Sequence, residues 1–296
     1  MKQDQSPATL IDYLKAVPLY ILPQHLLSRM MLALTRVRFA PFKNLHIRWF
    51  IQQFNINMDE AKQPEPTAYP TFNHFFTREL REDARNIVPG EMQIACPVDG
   101  AISQSEAIND GRIYQAKGHD YTLKTLFGGD PQLTETFQKG CFSTIYLSPR
   151  DYHRIHMPCD ATLLQMLHVP GRLFSVNNAS AKVIPGLFAR NERVVTLFET
   201  QHGPMAMVLV GAIFVGSIET TWHGVVTPPS RHNVKQWHYE GENQVNFKKG
   251  EEMGRFNMGS TVIVLFANPE VKFAENIQAG EAVQLGQLLA EQQPQE

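Results

Sequence analysis

Along the first sixty residues, apolar positions recur at helical spacing. From Gln24 onward Leu26, Leu27, Met30, Met31 and Leu34 follow that period, interrupted by Arg29, Arg36 and Arg38. After Pro41 a second stretch holds Leu45, Ile47, Trp49, Phe50 and Ile51 with Lys43 and Arg48. This period predicts amphipathic helices. A Pro-containing stretch over residues 61–70 marks the expected end of this arm. From about residue 93 the pattern changes. Short runs rich in β-branched and aromatic residues, at 142–147, 205–210, 212–218 and 261–266, read as strands between Gly-containing turns. Beyond the arm only residues 71–80 and 175–183 read as helix, and no repeat of fixed period is present. The predicted fold class is α+β, a helical amphipathic N-terminal region over 1–60 followed by a β-rich domain over 61–296.

Composition adds one refinement. A chain of 296 residues with 43% apolar and 19% charged residues has an ordinary globular balance, which excludes wholesale disorder. Its net charge of −2 argues against a nucleic-acid partner. That total hides an asymmetry. Residues 1–55 hold seven basic side chains against two acidic ones, net +5, which leaves −7 for the remainder. The longest uncharged run in the arm, residues 16–28, is interrupted by Pro18 and Pro23. A spanning helix needs about 20 apolar residues, so none is predicted. No small-residue cleavage site follows the run, so a secretory signal is not expected. A basic, aromatic, amphipathic arm either lies in a lipid headgroup layer or packs on its own protein core. Three cysteines, Cys96, Cys141 and Cys159, without a CxxC spacing, fit a reducing compartment better than a disulfide framework.

Three constellations could carry chemistry. In Asp151-Tyr152-His153-Arg154-Ile155-His156-Met157-Pro158 two imidazoles stand three residues apart. They could bind a metal, line a catalytic pocket, or be ordinary structural histidines. Asp99 in Pro97-Val98-Asp99-Gly100 is either a turn former or the acid that orients an imidazole. Met258-Gly259-Ser260-Thr261 runs straight into the apolar stretch 262–266. Read plainly, it is a turn entering a strand, and with no helix following it is not a Gly-x-Ser-x-Gly elbow. A serine after glycine has another use. Its hydroxyl can attack the preceding carbonyl, and glycine tolerates the backbone strain and leaves that carbonyl unshielded.

Together these residues resemble the phosphatidylserine decarboxylases, whose processing motif Leu-Gly-Ser-Thr stands here as Met258-Gly259-Ser260-Thr261. Phe75-Phe76-Thr77-Arg78, Pro97 to Gly100, Lys117-Gly118, Asp151 to Pro158 and Phe188 to Arg193 carry the likeness across residues 65–290, in the bacterial membrane-associated pattern. The Met for Leu exchange conserves volume and is not expected to impair function. The resemblance implies self-cleavage between Gly259 and Ser260 into a large chain, 1–259, and a small chain, 260–296. Ser260 becomes a pyruvoyl group at the new N-terminus. By motif position His156 matches the family's base and Asp99 the residue orienting it, giving an Asp99–His156–Ser260 triad. In the mature reaction the substrate amine condenses with the pyruvoyl carbonyl, and CO₂ leaves with its electrons drawn into that carbonyl. His153 is the candidate that then protonates Cα.

The substrate implied is phosphatidylserine in a bilayer, so the arm is expected to hold an anionic surface, peripherally, on the cytoplasmic side of the cell inner membrane. A homodimer of the processed heterodimer is one assembly the resemblance allows. Arg154, His119 and Lys117 are available to the lipid phosphate. Two other readings compete. One is a zinc hydrolase built on His153 and His156 with His119 or His223; the other is a non-catalytic lipid-binding β module.

Overall fold

The protein is represented by a computed structural model describing residues 7–116, 118–214, 217–228 and 233–293. The arm begins with α1 (Leu10–Ala16), whose first turn is closed reciprocally: the Thr9 side chain accepts from the Asp12 N–H, and the Asp12 carboxylate accepts from the Thr9 N–H. The apolar periodicity becomes α2 (Gln24–Thr35) and α3 (Ala40–Phe54). Pro41 sits in the first turn of α3, where its missing N–H costs nothing, and Asn55 ends the helix in the left-handed conformation, φ 52°. A short α4 (Phe72–Phe76) follows, its Thr71 side chain accepting from the His74 N–H. Phe72, Phe75 and Phe76 pack with Ile47 and Phe50 of α3, with Ile56 and with Tyr69 in a small core of their own. The 61–70 stretch is therefore tied down. Ala61 bridges to Leu80, and the Tyr69 hydroxyl donates to the Gln63 carbonyl at 2.6 Å.

The body is built on an antiparallel sheet of nine strands among the described residues. Its centre is Thr261–Phe266, flanked by Met205–Val210 on one side and Cys141–Tyr146 on the other. Every residue of Thr261–Phe266 is buried, as expected of a β-branched run covered on both faces. A four-stranded sheet joins Arg154–His156 to Glu252–Phe256, which brings the two-histidine segment to the chain approaching Ser260. A three-stranded sheet sets Leu288–Gln292 between Gln93–Ala95 and Val271–Phe273.

Three sequence expectations change. The strand expected over 212–218 is absent from Ala212–Phe214, which turns instead with Phe214 at φ 67°; positions 215–216 lie outside the described residues, and Ile218 opens the strand Ile218–Thr220. The helix expected over 71–80 stops at Phe76, because Leu80 pairs with Ala61. The helix expected over 175–183 starts later, at Asn178, where the Asn177 side chain caps the Ser180 N–H.

Candidate active site

Ser260 is the last residue before the central strand. It is fully buried, and its carbonyl accepts from the Leu147 N–H at 2.8 Å. Its Oγ has no hydrogen-bond partner. A buried hydroxyl left unpaired is costly and calls for a functional explanation. The residues before it are pinned. The Asn73 side chain donates to the Asn257 carbonyl at 2.9 Å, and the Asn257 N–H donates to the Ser217 carbonyl at 2.9 Å. Gly259 is required by close approach: a Cβ there would stand 2.5 Å from His153 Nε2.

His153 thus faces the Gly259–Ser260 peptide. It is fully buried, with the Phe76 ring 4.2 Å away, centroid to centroid. Its Nδ1 lies 2.7 Å from the Asp151 carbonyl oxygen, which can only accept, so Nδ1 carries the hydrogen. That leaves a lone pair on Nε2, which has no partner. Burial pushes its pKa down to about 3, with the nearby Arg78 charge acting in the same direction. The imidazole is neutral at physiological pH.

His156 and Asp99 have other direct partners. His156 donates from Nδ1 to the Gly250 carbonyl at 2.8 Å, and its Nε2 accepts from the Tyr152 hydroxyl at 3.1 Å. Burial lowers its pKa, opposed by the Gly250 contact and by the charges of Glu252 and Asp99. Asp99 receives Arg85 in a two-pronged pair, at 3.0 and 2.6 Å, and accepts from the Leu285 N–H at 2.8 Å. Among the described residues no hydrogen bond joins Asp99 to His156, or His156 to Ser260, as a preassembled triad would require. The segments are nevertheless neighbours, since the His156 N–H donates to the Pro97 carbonyl at 2.9 Å. Sequence reasoning gave no role to Arg85, Tyr152 or Phe76. Tyr152 and Phe76 stood inside quoted motifs, whereas nothing in the sequence marks Arg85 as the partner of Asp99.

Gly259 also forms part of the wall of an apolar cavity of about 690 Å³. Leu19, Leu22, Trp49 and Phe54 of the arm close one side, and Tyr146 and Leu147 the other. The outer faces of the arm are unusually apolar: Leu10, Ile21 and Leu45 are 75%, 86% and 71% exposed. No helix among the described residues is long and apolar enough to cross a membrane.

The metal reading lacks a third ligand. His119 sits against the Lys182 carbonyl and His223 against Trp237. Among the described residues no three His, Cys, Asp or Glu side chains converge on a metal-sized site. Of the phosphate candidates, Lys117 lies outside the described residues, and Arg154 is held by Glu252 at 2.8 Å.

With this geometry in view, comparison with known proteins is informative. A family model for phosphatidylserine decarboxylase matches residues 72–291, and a second, described as PSD, matches residues 14–55. A phosphatidylserine decarboxylase proenzyme of Vibrio vulnificus is 52% identical over 285 residues, covering 96% of this chain and 100% of the relative. The proenzyme of Aliivibrio salmonicida is 53% identical over 277 residues, covering 93% and 96%. That of Vibrio cholerae is 51% identical over 284 residues, covering 95% and 100%. The chain belongs to the phosphatidylserine decarboxylase family.

Proposed function

We propose that this chain is the proenzyme of a phosphatidylserine decarboxylase that cleaves itself between Gly259 and Ser260 and then converts phosphatidylserine to phosphatidylethanolamine and CO₂. The observation carrying this reading is the pair formed by a buried, unpartnered Ser260 Oγ and a glycine whose missing side chain admits His153. In processing, Ser260 Oγ attacks the Gly259 carbonyl carbon and the peptide nitrogen leaves, giving an ester. Loss of the Ser260 α-proton expels the Gly259 carboxylate and leaves dehydroalanine, whose hydrolysis releases ammonia. We assign the proton transfers of processing to His156 with Asp99, as the resemblance implies. Their neighbouring segments support this pairing, and His156 must exchange its Tyr152 contact for Ser260 to act.

The site fits the pyruvoyl group that would result: small, set against an apolar cavity, and enclosed by residues that exclude water. When present, that group supplies an electron sink for decarboxylation. His153 Nε2 faces this position with a free lone pair, and we assign to it the proton handling of the mature reaction. The cavity takes the apolar part of the lipid. Residues 1–60 form the membrane-association region and 61–296 the catalytic domain, working peripherally at the cytoplasmic face of the inner membrane. Cleavage does not release the small chain, because residues 261–266 stay hydrogen-bonded between two strands of the large one.

The test is CO₂ release from carboxyl-labelled phosphatidylserine in uncharged detergent. Wild type should turn over, lose activity with hydroxylamine and ignore EDTA. Ser260→Ala should remain one chain without activity. Activity in that variant, or loss of wild-type activity to EDTA with reactivation by zinc, would reject this reading in favour of the alternatives.

A further inference from the structure

Arg78 follows α4 in the Phe75-Phe76-Thr77-Arg78 motif, and nothing in the proposed reaction uses it. It is 5% exposed, and its Nε has no partner. Among the described residues its one hydrogen bond, to the Arg150 carbonyl, is long at 3.4 Å, and its guanidinium lies 5.7 Å from the Phe75 ring centre. Among the described residues no carboxylate pairs with it. An interior charge without a counter-charge is strongly disfavoured unless something else satisfies it.

Arg78 opens into a cavity of about 260 Å³, shared with Lys62, Tyr69, His74, Glu79 and Arg154. The carboxylates nearby are already engaged: Glu60 and Asp99, whose charges reach Arg78, hold Arg85 at 2.8 and 2.6 Å. Glu79 holds Lys62 at 2.8 Å and Arg154 at 3.4 Å, while Glu252 holds Arg154 at 2.8 Å. Each of these carboxylates is bonded to another cation, which leaves Arg78 without an ion-pair partner among the described residues. This cavity is separate from the one beside Gly259. Phe72 and Phe76 line that larger cavity, whereas His74 and Arg78 line this one, so α4 and its C-terminal end stand between them.

We propose that the Arg78 cavity is an anion site that takes a phosphate group, from free phosphate or from an anionic lipid headgroup. A planar guanidinium matches phosphate oxygens with two parallel N–H donors, and the volume admits a tetrahedral anion with accompanying water. The site lies on the far side of α4 from Ser260, so its occupant does not react.

Two probes identify the source: inorganic phosphate at constant ionic strength, and dihexanoylphosphatidylglycerol below its micelle concentration. Each is titrated calorimetrically into the full chain in uncharged detergent. Saturable binding is expected for wild type. Binding of both probes shows that any phosphate suffices, and binding of the lipid alone assigns the site to a headgroup. Arg78→Gln should weaken binding at least tenfold, with Arg78→Lys between. Glu79→Gln removes an exposed carboxylate from the same cavity and should tighten binding severalfold, a test that does not depend on an Arg78 variant folding. Absence of saturable binding of either probe to wild type would overturn the proposal. So would an Arg78→Gln chain that melts cooperatively yet binds within twofold of wild type, or a Glu79→Gln chain that binds no tighter.

Discussion

Gly259→Ala is the sharpest structural perturbation of the cleavage site. Its new methyl would stand 2.5 Å from His153 Nε2 and 3.3 Å from the Leu147 carbonyl. The first distance lies about 1 Å inside ordinary non-bonded contact. The imidazole cannot retreat freely, since Nδ1 is held by the Asp151 carbonyl at 2.7 Å and the ring is backed by Phe76. Either the ring or the Gly259–Ser260 peptide must move. Overpacking of this kind costs about 1–3 kcal/mol. A displacement near 1 Å at reacting atoms slows a positioned reaction by roughly a hundredfold. Stability is best read in a Ser260→Ala background, where every chain stays intact. There Gly259→Ala should lower the unfolding free energy by about 1–3 kcal/mol. Most of that loss should vanish when His153 is also Ala, because the clashing ring is gone. In the cleavage-competent chain, intact mass against time should show self-cleavage slowed by roughly two orders of magnitude. Cleavage at the wild-type rate, or a stability loss independent of His153, would refute the proposed geometry.

The histidines should separate by assay. His156→Ala and Asp99→Asn should leave mostly full-length chain, whereas His153→Ala should self-cleave yet release CO₂ at least a hundredfold more slowly; the opposite pattern would exchange the roles. His153 also predicts a pH dependence. Its pKa falls from an unfolded value near 6.5 to about 3 in the fold. The unfolded chain therefore binds the extra proton below pH 6.5, and stability is lost as pH falls from there towards the folded pKa. In the uncut Ser260→Ala protein, urea unfolding at pH 4.5 should show about 2–3 kcal/mol more loss relative to pH 7 than the same protein carrying His153→Gln. Equal losses would contradict a buried neutral imidazole. On the arm, Ile21→Ser with Leu45→Ser should weaken flotation with anionic vesicles at least tenfold while leaving turnover in detergent nearly unchanged. Unaltered flotation would show that these exposed side chains do not meet the lipid.

How far the sequence revealed this site depended on whether the determining contacts are local. The central strand was legible because its β-branched run is buried on both faces, and the Gly-Ser pair at its head could be singled out by chemistry alone. Helices α2 and α3 followed from apolar spacing. The strand expected over 212–218 is missing at 212–214 because Phe214 turns the chain with a positive φ, which hydrophobicity does not encode. The partners of the catalytic candidates were hidden for a different reason. Asp99 meets Arg85 and the Leu285 backbone, and His153 meets Phe76, only after distant segments pack. The unpaired state of Arg78 was equally invisible, since Glu79 stands beside it in sequence yet bonds Lys62 and Arg154. Residues 1–55 are likewise less separable from the body than their charge asymmetry suggested, because Phe50 of α3 shares a core with Phe72 of α4.

Intact mass spectrometry of the purified wild-type chain tests the central claim most directly. It should show two chains that remain together under native conditions, residues 1–259 and 260–296, the smaller lighter by one ammonia than the unmodified peptide. A single full-length mass, or a small chain beginning with an unaltered serine, would contradict it.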